Sequence, residues 1–264
     1  MIDFVFNKEV YLRRINFNGE VSVNFECLKA LHRAQHTSMP FENFDICLGR
    51  SIHLDRESIF EKLVRHQRGG YCFELNGLLL MALKAFGFEA RPLLGRVHVS
   101  GTPTGRSHQN TLVSIEDQRW IVDLGFGAES PPMPIPLVYN KPVTFQHQTY
   151  RLMDSELFGY MLQKKQDERW KNLYSFDLGY VFEMDIKYGN YYTSTHPDSF
   201  FKSARMASIP TDNGLLTLYN YKFKKFINGK EEVIFLKDDP SYLSILEKEF
   251  GINLNAEYKD LNPL

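Results

Sequence analysis

Apolar residues recur at helical spacing through the first third of the chain and at alternate positions through much of the remainder. Between Asn24 and His36, the residues Phe25, Leu28 and Leu31 keep to one face of a helix, and Pro40 lies just beyond its end. Asp55 is placed to N-cap a second helix whose buried stripe is Ile59, Phe60, Leu63 and Val64. A third follows Arg68-Gly69-Gly70-Tyr71-Cys72-Phe73-Glu74-Leu75-Asn76. Its apolar run is Leu75, Leu78, Leu79, Ala82, Leu83 and Phe86, and Gly87 stands where a helix C-cap is expected. Cys72 is thus expected in the first turn of a mostly buried helix.

Past Gly87 the period changes to two. A strand is expected over Glu89 to Val99, with Pro92 leaving one side of it unpaired. His108 to Ile115 and Arg119 to Leu124 read as a hairpin. A turn centred on Glu116-Asp117 sets His108 opposite Gly125 and puts Asp123 on the same face, a diagonal separation of about 7–8 Å. A register slip of one residue would send the two side chains to opposite faces. After the prolines at 131, 132, 134 and 136, strands are expected over 143–153, 158–163 and 170–176, and a helix over 180–192. Strands at 215–226 and 231–236 are expected to form a hairpin turning at Asn228-Gly229, and a last helix at 241–250 stops at Gly251. The order predicts an α+β protein. It divides into a helical domain over 1–88, an antiparallel β-barrel domain over 89–190 and a C-terminal α/β lid over 191–264.

Composition narrows this little. Hydrophobic residues at 43% and charged residues at 24% are ordinary for a globular protein. A net charge of −1 builds in no general attraction to nucleic acid or an anionic membrane. The aromatic content of 14% suits a pocket for flat apolar ligands. Three cysteines, Cys27, Cys47 and Cys72, argue against a disulfide framework, and none has zinc-ligand spacing; no metal is expected. Met1 to Arg14 lacks the apolar core of a signal peptide, and the longest apolar run is too short to span a bilayer, so a cytoplasmic protein is expected. Gly101 to Ser107 has a phosphate-loop look, but its spacing is one residue short and no lysine follows the second glycine.

Cys72, His108 and Asp123 carry the candidate chemistry. A free thiol with a pKa of about 8.5 is mostly protonated at neutral pH, and a helix N-terminus beside a histidine favours the thiolate. Cys72 supplies an attacking sulfur, His108 takes its proton, and Asp123 fixes the imidazole tautomer and stabilises its charge. The chain order nucleophile, base, orienter is that of papain-type cysteine hydrolases. The plainer readings are a small buried cysteine, a strand-edge histidine and a strand-end turn former.

The sequence resembles the arylamine N-acetyltransferases. Pro40-Phe41-Glu42-Asn43, the Arg68 to Glu74 segment with Asn76, His108 in its strand, Trp120 to Gly127, and Tyr191 to Pro197 with Phe201 match that family's motifs in order. The resemblance implies a cysteine-proteinase-like three-domain fold. It implies acetyl-CoA as co-substrate and a ping-pong reaction through acetyl-Cys72, with arylamines, arylhydrazines or N-hydroxyarylamines as acceptors. It further implies that Arg68, Glu42 and Asn43 brace the active-site turn, that Phe126 and Phe41 wall the acceptor pocket, and that Gly127 lies near the pantetheine arm. Ala128 leaves that loop without a basic side chain. A cysteine hydrolase using the same triad is the rival reading. A ligand-binding protein that has lost catalysis is another, which an intact triad argues against. The acceptor and the oligomeric state stay open at this point.

Overall fold

The computed structural model describes residues 4–264. Five helices and one short strand make up its first third: α1 (Lys8–Arg14), α2 (Phe25–Ser38), β1 (Phe41–Glu42), α3 (Phe44–Cys47), α4 (Arg56–Phe60) and α5 (Cys72–Ala85). Asn7, Asn24 and Asp55 each accept a backbone N–H in the first turn that follows, which satisfies a donor the helix itself cannot. Leu28, Leu31, Leu63, Leu75, Leu78, Leu79 and Leu83 form the dry centre of this bundle. The stripe expected from Ile59 to Val64 is buried, but the winding after Phe60 widens into a π turn over Glu61–Arg65. There the Arg68 N–H reaches the Lys62 carbonyl at 3.1 Å, which closes the helix and hands the chain to the glycine turn.

Eight strands follow: β2 (Glu89–Val97), β3 (Arg106–Ile115), β4 (Gln118–Val122), β5 (Ile135–Pro136), β6 (Val143–Phe145), β7 (Gln148–Ser155), β8 (Gly159–Gln166) and β9 (Arg169–Phe176). They pair antiparallel in the order β5-β4-β3-β2-β9-β8-β7-β6. Ile135 near one end of that order shares a core with Tyr150 and Leu152 near the other, so the sheet rolls into a near-closed barrel. As Pro92 foretells, β9 meets β2 only at Gly95–Val97, and Pro92 has a strand on the β3 side alone. The single strand expected over 143–153 is in fact a hairpin, folded at Gln146, whose φ of 53° is the left-handed conformation of a turn.

The last third carries α6 (Glu183–Thr195), α7 (Phe200–Ser203), β10 (Met206–Thr211), β11 (Gly214–Tyr219), β12 (Lys222–Ile227), β13 (Lys230–Phe235) and α8 (Ser241–Phe250). The expected strand over 215–226 also turns back on itself, at Asn220 with φ 54°. The turn expected at Asn228-Gly229 is present between β12 and β13. The boundary expected after residue 190 falls inside α6, a helix continuous to Thr195. The five-stranded sheet runs β1-β10-β11-β12-β13, so its first strand comes from the helical part of the chain. Helical bundle, barrel and C-terminal α/β region together make the α+β, three-part fold expected. Among the described residues no helix is long and apolar enough to cross a membrane.

Candidate active site

The glycine turn is where the three parts meet. The Gly70 N–H donates to the Pro40 carbonyl at 3.2 Å, and the Glu42 N–H donates to the Gly70 carbonyl at 3.0 Å. A Cβ on Gly69 would stand 2.1 Å from the Pro40 oxygen, so only glycine admits this crossing. Cys72 is then the first residue of α5, with the N-terminal end of the helix dipole behind its sulfur. The Tyr71 N–H is held by Glu74 Oε2 at 3.0 Å.

The hairpin of β3 and β4 has the register expected of it. Ile115 faces Gln118 and Thr111 faces Val122, so His108 and Asp123 come to one side of the ribbon. His108 Nε2 lies 2.8 Å from Asp123 Oδ2, with His108 2% exposed and Asp123 1% exposed. The Cys72 thiol donates to the carbonyl of Ser107, the residue before His108, at 3.8 Å. Asp123 Oδ1 accepts from Asn76 Nδ2 at 2.9 Å and from the Gly125 N–H at 2.8 Å. Asn76 Oδ1 in turn accepts the Leu124 N–H at 2.9 Å. A Cβ on Gly125 would lie 2.5 Å from Cys72 Cα. That close approach presses the barrel loop against the nucleophile's own backbone.

Burial alone would strip the charge from the imidazole. The Asp123 carboxylate, hydrogen-bonded and charged, outweighs it together with the thiol and pushes the His108 pKa up to about 10. Burial likewise opposes ionisation of Asp123, but the His108 ring and the Asn76 and Gly125 donors hold its pKa below the usual carboxylate value. The arrangement therefore favours imidazolium and carboxylate together, with sulfur beside them.

Behind the turn lies a buried ionic network. Arg68 donates to Glu42 Oε1 through Nε at 3.0 Å and Nη2 at 2.7 Å, and to Asp45 Oδ1 at 3.3 Å. Lys62 Nζ bridges Asp45 Oδ2 and Glu74 Oε1, each at 2.6 Å. Arg68 and Glu42 are thus brought together behind the glycine turn. Asn43 does not join them. Its Nδ2 donates to the Ala204 and Phe201 carbonyls at 2.7 and 3.0 Å, and its Oδ1 accepts the Met206 N–H at 2.8 Å. It fastens β1 to the C-terminal part rather than to Arg68, because β1 is the edge strand of that sheet. Sequence reading gave no role to Asp45, Lys62 or Glu74, nor to Asn76. For Asn76 a signal existed: it stands four residues after Cys72, on the same helix face.

Phe126 sets its ring edge-on to His108 at 4.9 Å between centroids, and Tyr174 covers the same imidazole at 4.6 Å. Phe41 packs toward Phe201 at 6.3 Å and lies 3.6 Å from where a Gly127 Cβ would be. Phe41, Phe126 and Gly127 are therefore gathered at the triad. Gly127 to Ser130 also border a cleft of about 460 Å³ between the barrel and the C-terminal sheet, with Arg33, Lys164, Lys165 and Lys224 on its walls against Glu129 and Glu231. Among the described residues no group of three or more His, Cys, Asp or Glu side chains is placed to hold a metal.

A helix-borne thiol facing a barrel-borne imidazole and carboxylate defines a cysteine-nucleophile enzyme. A family model described as N-acetyltransferase matches residues 24–259. The arylamine N-acetyltransferase of Escherichia coli is 39% identical over 249 residues, which is 93% of this chain and 88% of that one. The Salmonella typhimurium protein described as arylamine N-acetyltransferase / N-hydroxyarylamine O-acetyltransferase is 40% identical over 235 residues, covering 87% and 83%. A solved arylamine N-acetyltransferase structure from Salmonella typhimurium superposes with a TM-score of 0.90 at 35% identity, covering 96% and 95%. The Mycobacterium marinum enzyme solved with CoA gives 0.91 at 31% identity, covering 97% of each chain. The chain belongs to the arylamine N-acetyltransferase family, of the bacterial type.

Proposed function

We propose that this protein transfers acetyl groups from acetyl-CoA to arylamines and arylhydrazines, and to the oxygen of N-hydroxyarylamines, through an acetyl-Cys72 intermediate. The observation that carries the reading is the 2.8 Å bond between His108 and Asp123 beside a thiol at a helix N-terminus. Cys72, as thiolate, attacks the thioester carbonyl; the C–S bond to CoA breaks, and the departing sulfur takes the proton held by His108. The acceptor amine then attacks acetyl-Cys72. Neutral His108 takes the amine's proton, the Cys72 thiolate leaves, and the starting ion pair is restored. Asp123 keeps the ring oriented and its charge matched throughout. Arg68 and Glu42 hold the turn that aims the sulfur, and Asn43 ties that turn to the C-terminal part.

Each part of the chain has a task in this reading. Residues 1–88 supply the nucleophile, the barrel that opens at residue 89 supplies base and orienter, and the C-terminal α/β part closes over them. Phe41 and Phe126 form the apolar wall for the acceptor's ring, and Gly127 leaves room beside it. The cleft bordered by Gly127 suits the acyl donor: it begins two residues from Gly125, which touches Cys72, and basic side chains outnumber acidic ones on its walls. Those are the properties a phosphate-bearing thioester needs. Three free, buried cysteines suit a reducing, cytoplasmic compartment. The substrates are small molecules, and a net charge of −1 favours neither nucleic acid nor membrane as partner.

Intact-protein mass spectrometry after mixing with acetyl-CoA and no amine tests the reading. One added acetyl group is expected, absent in Cys72→Ala and discharged by an arylamine. A folded protein that acquires none, while its Cys72 still alkylates, points to the hydrolase or to another donor.

A further inference from the structure

The side of α6 that faces the protein is small and polar, and the side that faces away is aromatic, the reverse of an ordinary surface helix. On the inner side Asn190 Nδ2 donates to the Ile52 carbonyl at 3.2 Å, Asn190 Oδ1 accepts the Tyr71 hydroxyl, and Thr193 and Ser194 are buried. A Cβ on Gly189 would stand 2.9 Å from Phe73 Cζ and 3.1 Å from the Arg106 carbonyl oxygen, so the helix is seated too closely to roll. Met184, Tyr188, Tyr191 and Tyr192 therefore stay outside, and Tyr180 and Phe182 stand exposed just before the first turn; these five rings are 49–80% exposed. Met184, Tyr188, Tyr191 and Thr195 follow one another at steps of four, three and four. That is the spacing of a seam that a second helix fills.

We propose that the outer face of α6 is where two copies of this chain pair, antiparallel, about a two-fold axis between Tyr188 and Tyr191. At roughly 150–250 Å² per ring, the five rings leave on the order of 700 Å² in water, and a stable interface buries about 800 Å² per partner. Monomeric proteins rarely leave an apolar patch of that size open. The charges beside it are satisfied within the chain: Lys187 donates to Glu183 at 2.6 Å, and Asp185 holds the Phe182 N–H at 2.8 Å. With no charge excess on the face and −1 overall, it attracts neither nucleic acid nor an anionic membrane. Its own copy suits it. The axis sets Tyr188 against the partner's Tyr191, Met184 against the partner's Thr195 and Lys187 against the partner's Tyr192, contacts of ring on ring and of ammonium on ring. Antiparallel packing also lays the two helix dipoles head to tail. The pairing does not depend on what Cys72 transfers.

Sedimentation velocity on the full chain at tens of micromolar tests this. Wild type is expected at twice the 30.8 kDa of one chain. Tyr188→Glu and Tyr191→Arg are each expected to weaken association about thirtyfold or more, while urea midpoints hold because the rings replaced are exposed. An equal mixture of the two variants is expected to recover the dimer, since the axis brings the new carboxylate of one chain to the new guanidinium of the other. Phe235→Glu, at a 73% exposed ring on the edge strand β13, is expected to leave the dimer intact. A wild type of one chain's mass at every concentration overturns the proposal, whether the face then binds neutral lipid vesicles or nothing. A dimer that survives both tyrosine variants, or falls with Phe235→Glu, overturns it by placing the contact elsewhere. A mixture that stays monomeric overturns the antiparallel pairing. Should either charged variant fail to fold, Tyr188→Ala and Tyr191→Ala read the same weakening, since each only shortens an exposed side chain.

Discussion

Asn76 and Asp123 are joined by a 2.9 Å hydrogen bond that crosses from the nucleophile's helix to the barrel. The same Asn76 side chain accepts the Leu124 N–H, so one residue of α5 sets both the carboxylate and the backbone behind it. Cys72 and Asn76 share a helix face; the bond therefore fixes how far the thiol stands from the imidazole that Asp123 orients. Replacing Asn76 with Ala is expected to lower acetyl transfer by about tenfold to a hundredfold, the size of a lost supporting contact. A turnover assay beside a urea titration separates this from a loss of folded protein.

Asp123→Asn is expected to leave the fold standing and to reduce acetyl transfer by roughly 10³–10⁴. Its amide cannot favour the imidazolium, so the pH at which His108 loses its proton should also fall. Wild-type turnover in this variant would remove Asp123 from the mechanism.

Iodoacetamide near neutral pH is expected to label Cys72 well ahead of Cys27 and Cys47. All three thiols are buried, but burial pushes the Cys47 pKa up to about 12, and only Cys72 has an imidazole beside it. Peptide mapping of adducts reads the order directly, and equal labelling would count against an activated Cys72.

The folded protein should lose stability at both ends of the pH scale. The His108 pKa is raised from 6.5 to about 10, so its contribution is full below about 6.5 and fades as pH climbs through about 10. Asp123 is held below its ordinary 3.8, so its contribution is full above that value and fades as pH falls through the lowered one. Urea midpoints across this range should form a plateau, and Asp123→Asn should bring the alkaline fall to lower pH.

Arg68→Met leaves Glu42 buried without its partner and is expected to cost about 3–5 kcal/mol of stability. Gly125→Ala forces a methyl to within 2.5 Å of Cys72 Cα and is expected to cost about 1–3 kcal/mol, with turnover falling further because the loop and the thiol move apart. Denaturant titrations give both numbers.

Much of the site could be read from the chain because short-range rules fix it. The two-residue turn at Glu116-Asp117 dictates the pairing of β3 with β4, and that pairing alone brings His108 to Asp123. Gly87 and Gly251 mark helix ends by the positive φ they adopt. The turns at Gln146 and Asn220 were hidden, since each lies within a run of alternating residues with no glycine or proline to break it. The partner of Asn43 was hidden for another reason. Its bonds reach Ala204, and no local pattern announces a contact made across 161 residues. Nor does sequence say which charges are buried: Lys62 reads as a surface lysine on a helix, yet it lies between Asp45 and Glu74.

The pairing of β1 with β10 has a consequence for how the protein is made. Phe41 meets Ser208 and Glu42 meets Ala207, so the segment that crosses the glycine turn waits for chain synthesised long after Cys72. Contacts of such sequence separation form slowly. In a nascent chain Cys72, His108 and Asp123 all emerge before β10, so the residues of the triad precede the strand that completes the sheet beside the glycine turn.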